Sequence, residues 1–216
     1  MSFGSAASSP FAFYKFYAGE GGMRVPLIIA GEAIKQQQQK TNAFTYVTDI
    51  APTILALAGV ASPTYRYGGK PIDSISGRSL IPLLNGESEK VYGEEDYIGY
   101  ELGGNRALFQ GNFKIVLNRV PVGDRRWHLF NIVKDPGETN DLSADMPARL
   151  QTMLGHYEQY SRDNNVLPVP KEYDSVKQAM TNGMRDRIRP TLLLLFLTAF
   201  SLIGVYATYR QRFNHK

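Results

Sequence analysis

Cysteine is absent from the 216 residues. That excludes disulfides, thiolate metal sites and any cysteine nucleophile. Histidine is scarce: His128, His156 and His215 are the only three, and neither His156 nor His215 has a partner at metal-ligand spacing. The amino terminus, MSFGSAASSPFAFYKF, has no basic segment followed by a long apolar run, so it is not expected to act as a secretory signal peptide. No basic stripe interleaved with aromatics occurs either. Of the formal charge of +4, much sits near the C-terminus, with Arg185, Arg187 and Arg189 before an apolar run and Arg210, Arg212 and Lys216 after it. That placement is membrane flanking and excludes a nucleic-acid-binding face. What remains is ordinary for a globular protein, 43% hydrophobic and 20% charged, and long enough to bury a core.

Val25 to Ala30 reads VPLIIA and is closed by Gly31, the pattern of a strand buried on both faces, with Pro26 placing its start or edge. A chain that begins so close to such a strand is expected to lack its true beginning. Residues 35–42 are polar and loop-like. In Tyr46–Gly59, Val47, Ile50, Ile54, Leu57 and Ala58 fall at helical spacings. Thr48 or Asp49 serves as N-cap, Pro52 sits in the first turn, and Gly59 ends the helix. Residues 61–78 are rich in Pro, Gly and Ser and read as surface loop. Leu80, Ile81, Leu83 and Leu84 before Asn85-Gly86 predict one short helical turn with a glycine cap.

Between 95 and 131 the character changes. EDYIGYEL, NRALFQ, FKIVLN and WHLFNI are short β-rich runs separated by Gly-Gly, Gly-Asn and Pro-Val-Gly-Asp, which predicts an antiparallel meander. Asp135-Pro136-Gly137-Glu138 is a turn. A helix over about 144–164 then carries Leu150, Met153, Leu154, Tyr157 and Tyr160 on one face, against the sheet. Thr191 to Tyr209, TLLLLFLTAFSLIGVYATY, holds no charged residue and is apolar all round. About 20 residues at a 1.5 Å rise cross the hydrocarbon core, so this run is read as a transmembrane helix with Tyr206 and Tyr209 near an interface.

Five segments in order carry a resemblance. They are Lys15 followed by E-G-G-x-R-V-P-L-I at 20–28; Thr48-Asp49-Ile50-Ala51-Pro52-Thr53-Ile54-Leu55 with Ala58-Gly59-Val60; Gly77-Arg78-Ser79-Leu80 with Leu83-Leu84-Asn85-Gly86-Glu87; Glu101-Leu102, Arg106-Ala107 and Phe113-Lys114; and Trp127-His128-Leu129-Phe130-Asn131 through Asp135-Pro136-Gly137-Glu138 to Asp141-Leu142. Over roughly residues 13–168 the chain resembles the C-terminal portion of sulfatases, most of all the bacterial arylsulfatase branch. Each segment alone is weakly specific; the order and spacing of all five are not.

The resemblance implies attack on a sulfate ester by a hydrated formylglycine made from a Cys or Ser in C/S-x-P-S/T-R. An oxygen-liganded Ca²⁺ and basic side chains stabilise the sulfate charge. The chain departs from that pattern. It has no C/S-x-P-S/T-R; the nearest segment, Ala61-Ser62-Pro63-Thr64-Tyr65-Arg66, has alanine at the nucleophile position. It has no Asp-Asp pair before a strand and no Asp-Asn-Gly. Formylglycine and Ca²⁺ are therefore implied for the intact enzyme, with neither held by this chain. Lys15 alone carries over, as a sulfate-contacting lysine. Arg24 reads as structural, paired with a carboxylate near the strand; His128 as a strand residue facing solvent or packing the sheet; and Glu94-Glu95-Asp96 as a solvated loop.

The fold expected is a truncated α/β unit of the alkaline-phosphatase/sulfatase type, with a small four-stranded antiparallel sheet, a packed helix and one C-terminal transmembrane helix. Residues 1–90 would be the remnant of the catalytic α/β domain and 91–168 the sheet-and-helix subdomain. A linker at 169–190, a transmembrane helix at 191–209 and a basic tail at 210–216 complete the division. Function follows as the C-terminal part of a membrane-anchored arylsulfatase-like sulfuric ester hydrolase, inactive alone. A non-catalytic membrane-anchored module and a phosphonate or phosphate monoester hydrolase of the same superfamily are the alternatives. The expected partners are the lipid bilayer and, with the N-terminal part present, a sulfate ester. The expected place is a single-pass membrane protein with its main domain periplasmic or otherwise extracytoplasmic.

Overall fold

The structure is a computed structural model that describes residues 3–36 and 38–213. It divides into two compact units, Met1–Leu167 and Pro168–Lys216. The first opens with short helices α1 (Phe3–Ser8) and α2 (Glu20–Met23). A 3-10 turn at Val47–Asp49 leads into α3 (Ile50–Leu57), followed by a two-residue-strand hairpin, β1 (Arg66–Tyr67) with β2 (Lys70–Pro71), and by α4 (Ile81–Leu84). The main sheet is formed by β3 (Tyr97–Leu102), β4 (Asn105–Gln110), β5 (Phe113–Leu117) and β6 (His128–Asn131), and α5 (Pro147–Asp163) follows it.

The sheet is the antiparallel meander that its turn dipeptides predict, in the order β3-β4-β5-β6. Gly103 and Gly104, both at positive φ (58° and 84°), make the two-residue connection that pairs Leu102 with Asn105. Two successive positive φ values suit the twist of the flanking strands, and glycine adopts them without strain. On one face Leu108, Ile115 and Leu129 are buried against Met153 and Tyr157 of α5, with Leu150, Leu154 and Tyr160 around them. That is the helical face expected from the spacing. The helix starts at Pro147 and not at 144, since proline at its first position needs no hydrogen-bond partner. The other face carries Ala107, Phe109, Val116 and Phe130, covered by Ala18, Met23 and Phe44 from the N-terminal segment. Both faces of the sheet are therefore dry, and any polar side chain pointing inward has to find a partner.

Three expectations are corrected. Val25–Ala30 is extended but joins no ladder, and Val25 and Ile28 are 77% and 89% exposed. A buried strand needs neighbours on its edges, and no described residue pairs with this run. The apolar stripe of α3 also faces outward: Val47, Ile50, Ile54 and Leu57 are exposed, while Asp49, Pro52 and Thr53 are buried. Polar attachments, described below, orient this helix. The 61–78 loop contains the small β1–β2 hairpin. Both short helices end as their glycines predict, with Val60 N–H to Leu55 C=O (2.9 Å) and Glu87 N–H to Pro82 C=O (2.8 Å) closing the last turns.

In the second unit the extended stretch reaches only Asp174, whose carboxylate accepts the Lys177 N–H (2.9 Å). From there α6 (Ser175–Phe213) runs for 39 residues through Pro190. The segment 175–190 is thus helical, with the Asp174 carboxylate at its start and Pro190 inside the helix. Lys177–Gly204 is long and apolar enough to cross a membrane. Leu192, Leu195, Phe196, Phe200 and Ile203 are all exposed.

Candidate functional site

Lys15 lies on a turn that the sheet holds in place. Residues 12–18 curl ahead of α2, and Gly21 N–H donates to Ala12 C=O at 2.8 Å. A Cβ on Gly21 would stand 2.2 Å from the Phe13 carbonyl oxygen, so this close approach admits only glycine. Phe13 and Phe16, on either side of Tyr14-Lys15, have φ of 65° and 79°, a left-handed conformation that bulky residues seldom adopt. Such strain persists only where the surroundings impose it. Here Asn105 Nδ2 donates to Phe16 C=O (2.6 Å), and Ala18 N–H donates to Asn118 Oδ1 (2.8 Å). Lys15 is exposed, its ammonium 5.4 Å from the centre of the Phe16 ring.

Under this turn is a buried ionic cluster. The Lys114 side chain, on the N-terminal face of β5, is fully buried and lies 3.0 Å from Glu20 Oε1 and 2.8 Å from Glu138 Oε1. The two carboxylates are nearly as deeply buried. Glu138 Oε2 also accepts the Glu20 N–H (2.8 Å). Burial pushes the Glu138 carboxyl above its ordinary value, and Lys114 pulls it only part of the way back. Three of the five resembling segments thus meet in one contact: Glu20 of EGG, Lys114 of FK and Glu138 of DPGE. A lysine inside the apolar strand FKIVL was the sequence signal for this cluster. Arg24 leans on it from outside, 3.8 Å from Glu20 Oε2.

The other two segments are joined by Asp49 and Thr53. Asp49, fully buried, accepts hydrogen bonds from Tyr46 N–H (2.7 Å), Arg78 N–H (2.8 Å) and the Tyr92 hydroxyl. Thr53 Oγ1 donates to Asp49 C=O (2.6 Å) and accepts from Leu80 N–H (2.9 Å). Burial and the Asp49 carboxylate together push the Tyr92 phenol well above its ordinary value. Arg78 grips Asp96 with both terminal guanidinium nitrogens (2.5 and 2.6 Å), so the loop of exposed Glu94 and Glu95 also supplies an ion-pair partner.

The histidines are placed as follows. His128 stands between Asp141 (Nδ1, 2.7 Å) and Asp124 (Nε2, 3.0 Å). Burial pulls its imidazole down, but these two hydrogen bonds outweigh burial and leave it above the ordinary value. His156 stacks on Tyr97 and meets Gln110 Oε1 at 3.0 Å. His215 lies outside the described residues. Among the described residues no group of three or more His, Asp or Glu could hold a metal ion. The acidic groups brought inside are already engaged, Glu20 and Glu138 by Lys114 and Asp49 by three donors, and the exposed Asp141 is engaged by His128 and by the N–H groups of Leu129 and Ser143. The described residues do not fit a Ca²⁺ site, and the formylglycine precursor motif is missing from the sequence.

The family model described as N-sulphoglucosamine sulphohydrolase, C-terminal, matches residues 11–159. Human steryl-sulfatase is 41% identical over 183 residues, covering 71% of this chain and 30% of the relative. An uncharacterised sulfatase of Schizosaccharomyces pombe is 29% identical over 78% of this chain and 30% of its own length. Arylsulfatase K of Xenopus laevis is 27% identical over 69% and 28%. The chain spans about 30% of the length of these relatives. The solved structure titled Ps i-CgsB in complex with k-i-k-neocarrahexaose shares the fold, with a TM-score of 0.60 at 22% identity over 79% of this chain and 36% of that one. The chain belongs to the sulfatase family and corresponds to the C-terminal region of its members.

Proposed function

We propose that this chain is the C-terminal part of a membrane-anchored, arylsulfatase-like sulfuric ester hydrolase, in which Lys15 contacts the sulfate group and α6 spans the bilayer. One observation carries the reading. Three resembling segments converge through Glu20, Lys114 and Glu138 to support the exposed Lys15 turn, while the apolar residues Val25, Leu27 and Ile28 next to that turn are left uncovered. In the intact protein those residues, with the outward stripe of α3, would lie against the upstream α/β layers.

The nucleophile and metal would come from upstream. What this chain contributes is electrostatic. An ammonium group held at a fixed point stabilises negative charge on sulfate oxygens, and it does so best when its position is set before the substrate arrives. The main domain would lie outside the cytosol and the 210–216 tail inside. Alone, the chain would hydrolyse nothing.

The first test is an immunoblot of membrane fractions with an antibody to residues 135–168. A band well over twice 24.1 kDa, from which the same antibody precipitates calcium-dependent hydrolysis of an aryl sulfate, supports the reading. A band near 24.1 kDa refutes it and leaves a non-catalytic module. Alkaline carbonate extraction tests the anchor: a spanning helix stays in the pellet, and release into the supernatant contradicts the span.

A further inference from the structure

Asn105 and Asn118 are 4% and 7% exposed, on a sheet with both faces covered, and neither belongs to a segment that resembles a catalytic motif. Their places in the fold explain them. β4 begins at Asn105, β5 ends at Leu117, and Arg106 pairs with Leu117, so the two asparagines stand at the same edge of neighbouring strands. That edge is the one the 12–18 turn crosses.

Each amide is used for the turn. Asn105 spends both ends: Nδ2 donates to Phe16 C=O (2.6 Å), and Oδ1 accepts from Arg119 N–H (2.8 Å). The donor therefore has to face the turn. An aspartate here would set a carboxylate against a carbonyl oxygen. Asn118 Oδ1 accepts Ala18 N–H (2.8 Å), at a residue with no exposed surface. The two bonds hold the main chain one residue after Lys15 and three residues after it. Between them they fix the exit of a turn in which Phe13 and Phe16 are both left-handed. Without the bonds the turn would relax, since strained backbone persists only while its surroundings impose it.

We infer that Asn105 and Asn118 are positioning residues that clamp the 12–18 turn and fix the point in space from which Lys15 reaches the sulfate. They touch no substrate and act through Lys15. The catalytic half of this inference rests on the function proposed above; the clamp itself does not.

Two measurements test it. The first uses the 216-residue chain in detergent and limited trypsinolysis, reading the cut after exposed Lys15 against the cut after exposed Lys40. In Asn118→Ala or Asn105→Ala the Lys15 cut should accelerate about tenfold or more relative to Lys40, as local opening costs less. An unchanged ratio overturns the clamp. The second uses the full-length enzyme and kcat/KM for an aryl sulfate. A misplacement near 1 Å costs up to about a hundredfold, so each asparagine variant should lose roughly ten- to a hundredfold. Because the asparagines act through Lys15, the same substitutions made in Lys15→Ala should change kcat/KM by less than about twofold. Losses that instead multiply independently overturn the positioning role. An unaffected kcat/KM in Lys15→Ala itself refutes the sulfate role of Lys15 and the catalytic half of the inference, and the trypsin ratio still decides the clamp.

Discussion

Replacing Lys114 by methionine removes the one cation between two buried carboxylates while keeping much of the side-chain volume. In the folded protein its ammonium lies 3.0 Å from Glu20 and 2.8 Å from Glu138, with no exposed surface of its own. Methionine would leave two acidic groups facing each other, with only the half-exposed Arg24, 3.8 Å from Glu20, as a counter-charge. Removing one partner of a buried ion pair costs about 3–5 kcal/mol, mainly through the uncompensated charge. For a unit of this size each 1 kcal/mol moves the melting temperature by roughly 2–4 °C, so Lys114→Met should lower Tm by about 6–20 °C. Glu138→Gln is the control. It removes the second carboxylate, keeps an acceptor for the Glu20 N–H and leaves a one-to-one pair, so its Tm should stay within about 4 °C of the original. The pH dependence supplies a second check. Glu138 has its folded pKa raised, so its contribution is present below the ordinary glutamate value and is lost as pH rises through the folded value. Glu138→Gln should flatten that part of the profile. Thermal unfolding by circular dichroism in detergent measures all of this. A Lys114→Met shift below about 2 °C, or one no larger than that of Glu138→Gln, would refute the view that the cluster fastens the N-terminal segment to the sheet. In Lys114→Met/Glu20→Gln/Glu138→Gln part of the loss should return, since no buried charge is left alone.

Other perturbations probe different parts of the molecule. Both ring nitrogens of His128 face carboxylates, and a neutral imidazole can donate only once, so the full set of bonds needs the imidazolium. Its folded pKa is raised, so its stabilisation is present below about pH 6.5 and is lost as pH rises through the folded value; His128→Gln should flatten the Tm profile above about pH 6.5. A slope that survives the substitution would contradict this. Thr53→Val keeps the shape but strands the buried Leu80 N–H, at a cost of about 1–3 kcal/mol. Amide exchange at Leu80 should then accelerate, and an unchanged rate counts against the Thr53 bond. Ile28→Lys with Ile54→Lys, both exposed, should leave stability within about 0.5 kcal/mol and reduce self-association of the isolated chain in size-exclusion chromatography. A fall in Tm of many degrees would show that these side chains are buried after all.

Local chemistry made much of this molecule legible in advance. Gly103-Gly104 and Gly111-Asn112 punctuate the meander, the spacing of Leu150, Met153, Leu154 and Tyr157 aims α5 at the sheet, and an uncharged run marks the long apolar stretch of α6. Periodicity and turn chemistry are properties of neighbours in sequence, so they can be read from it. Lys15 was nameable because it stands at a fixed distance from a short motif. What surrounds Lys15 was not, because its supports come from far along the chain: Asn105 is 89 residues from Phe16, Asn118 is 100 from Ala18, and Glu138 is 118 from Glu20. The same limit explains the apolar run at 25–30 and the stripe of α3. Their sequence pattern states that apolar surface is to be covered, but burial depends on which partners the tertiary structure brings, and no described residue covers these. Sequence by itself determined the family, the meander, the glycine caps that end α3 and α4, and the apolar helix; only the tertiary structure decided that Glu20, Lys114 and Glu138 form one buried cluster, that polar Asp49 and Thr53 orient α3, and that two strand-end asparagines hold the Lys15 turn.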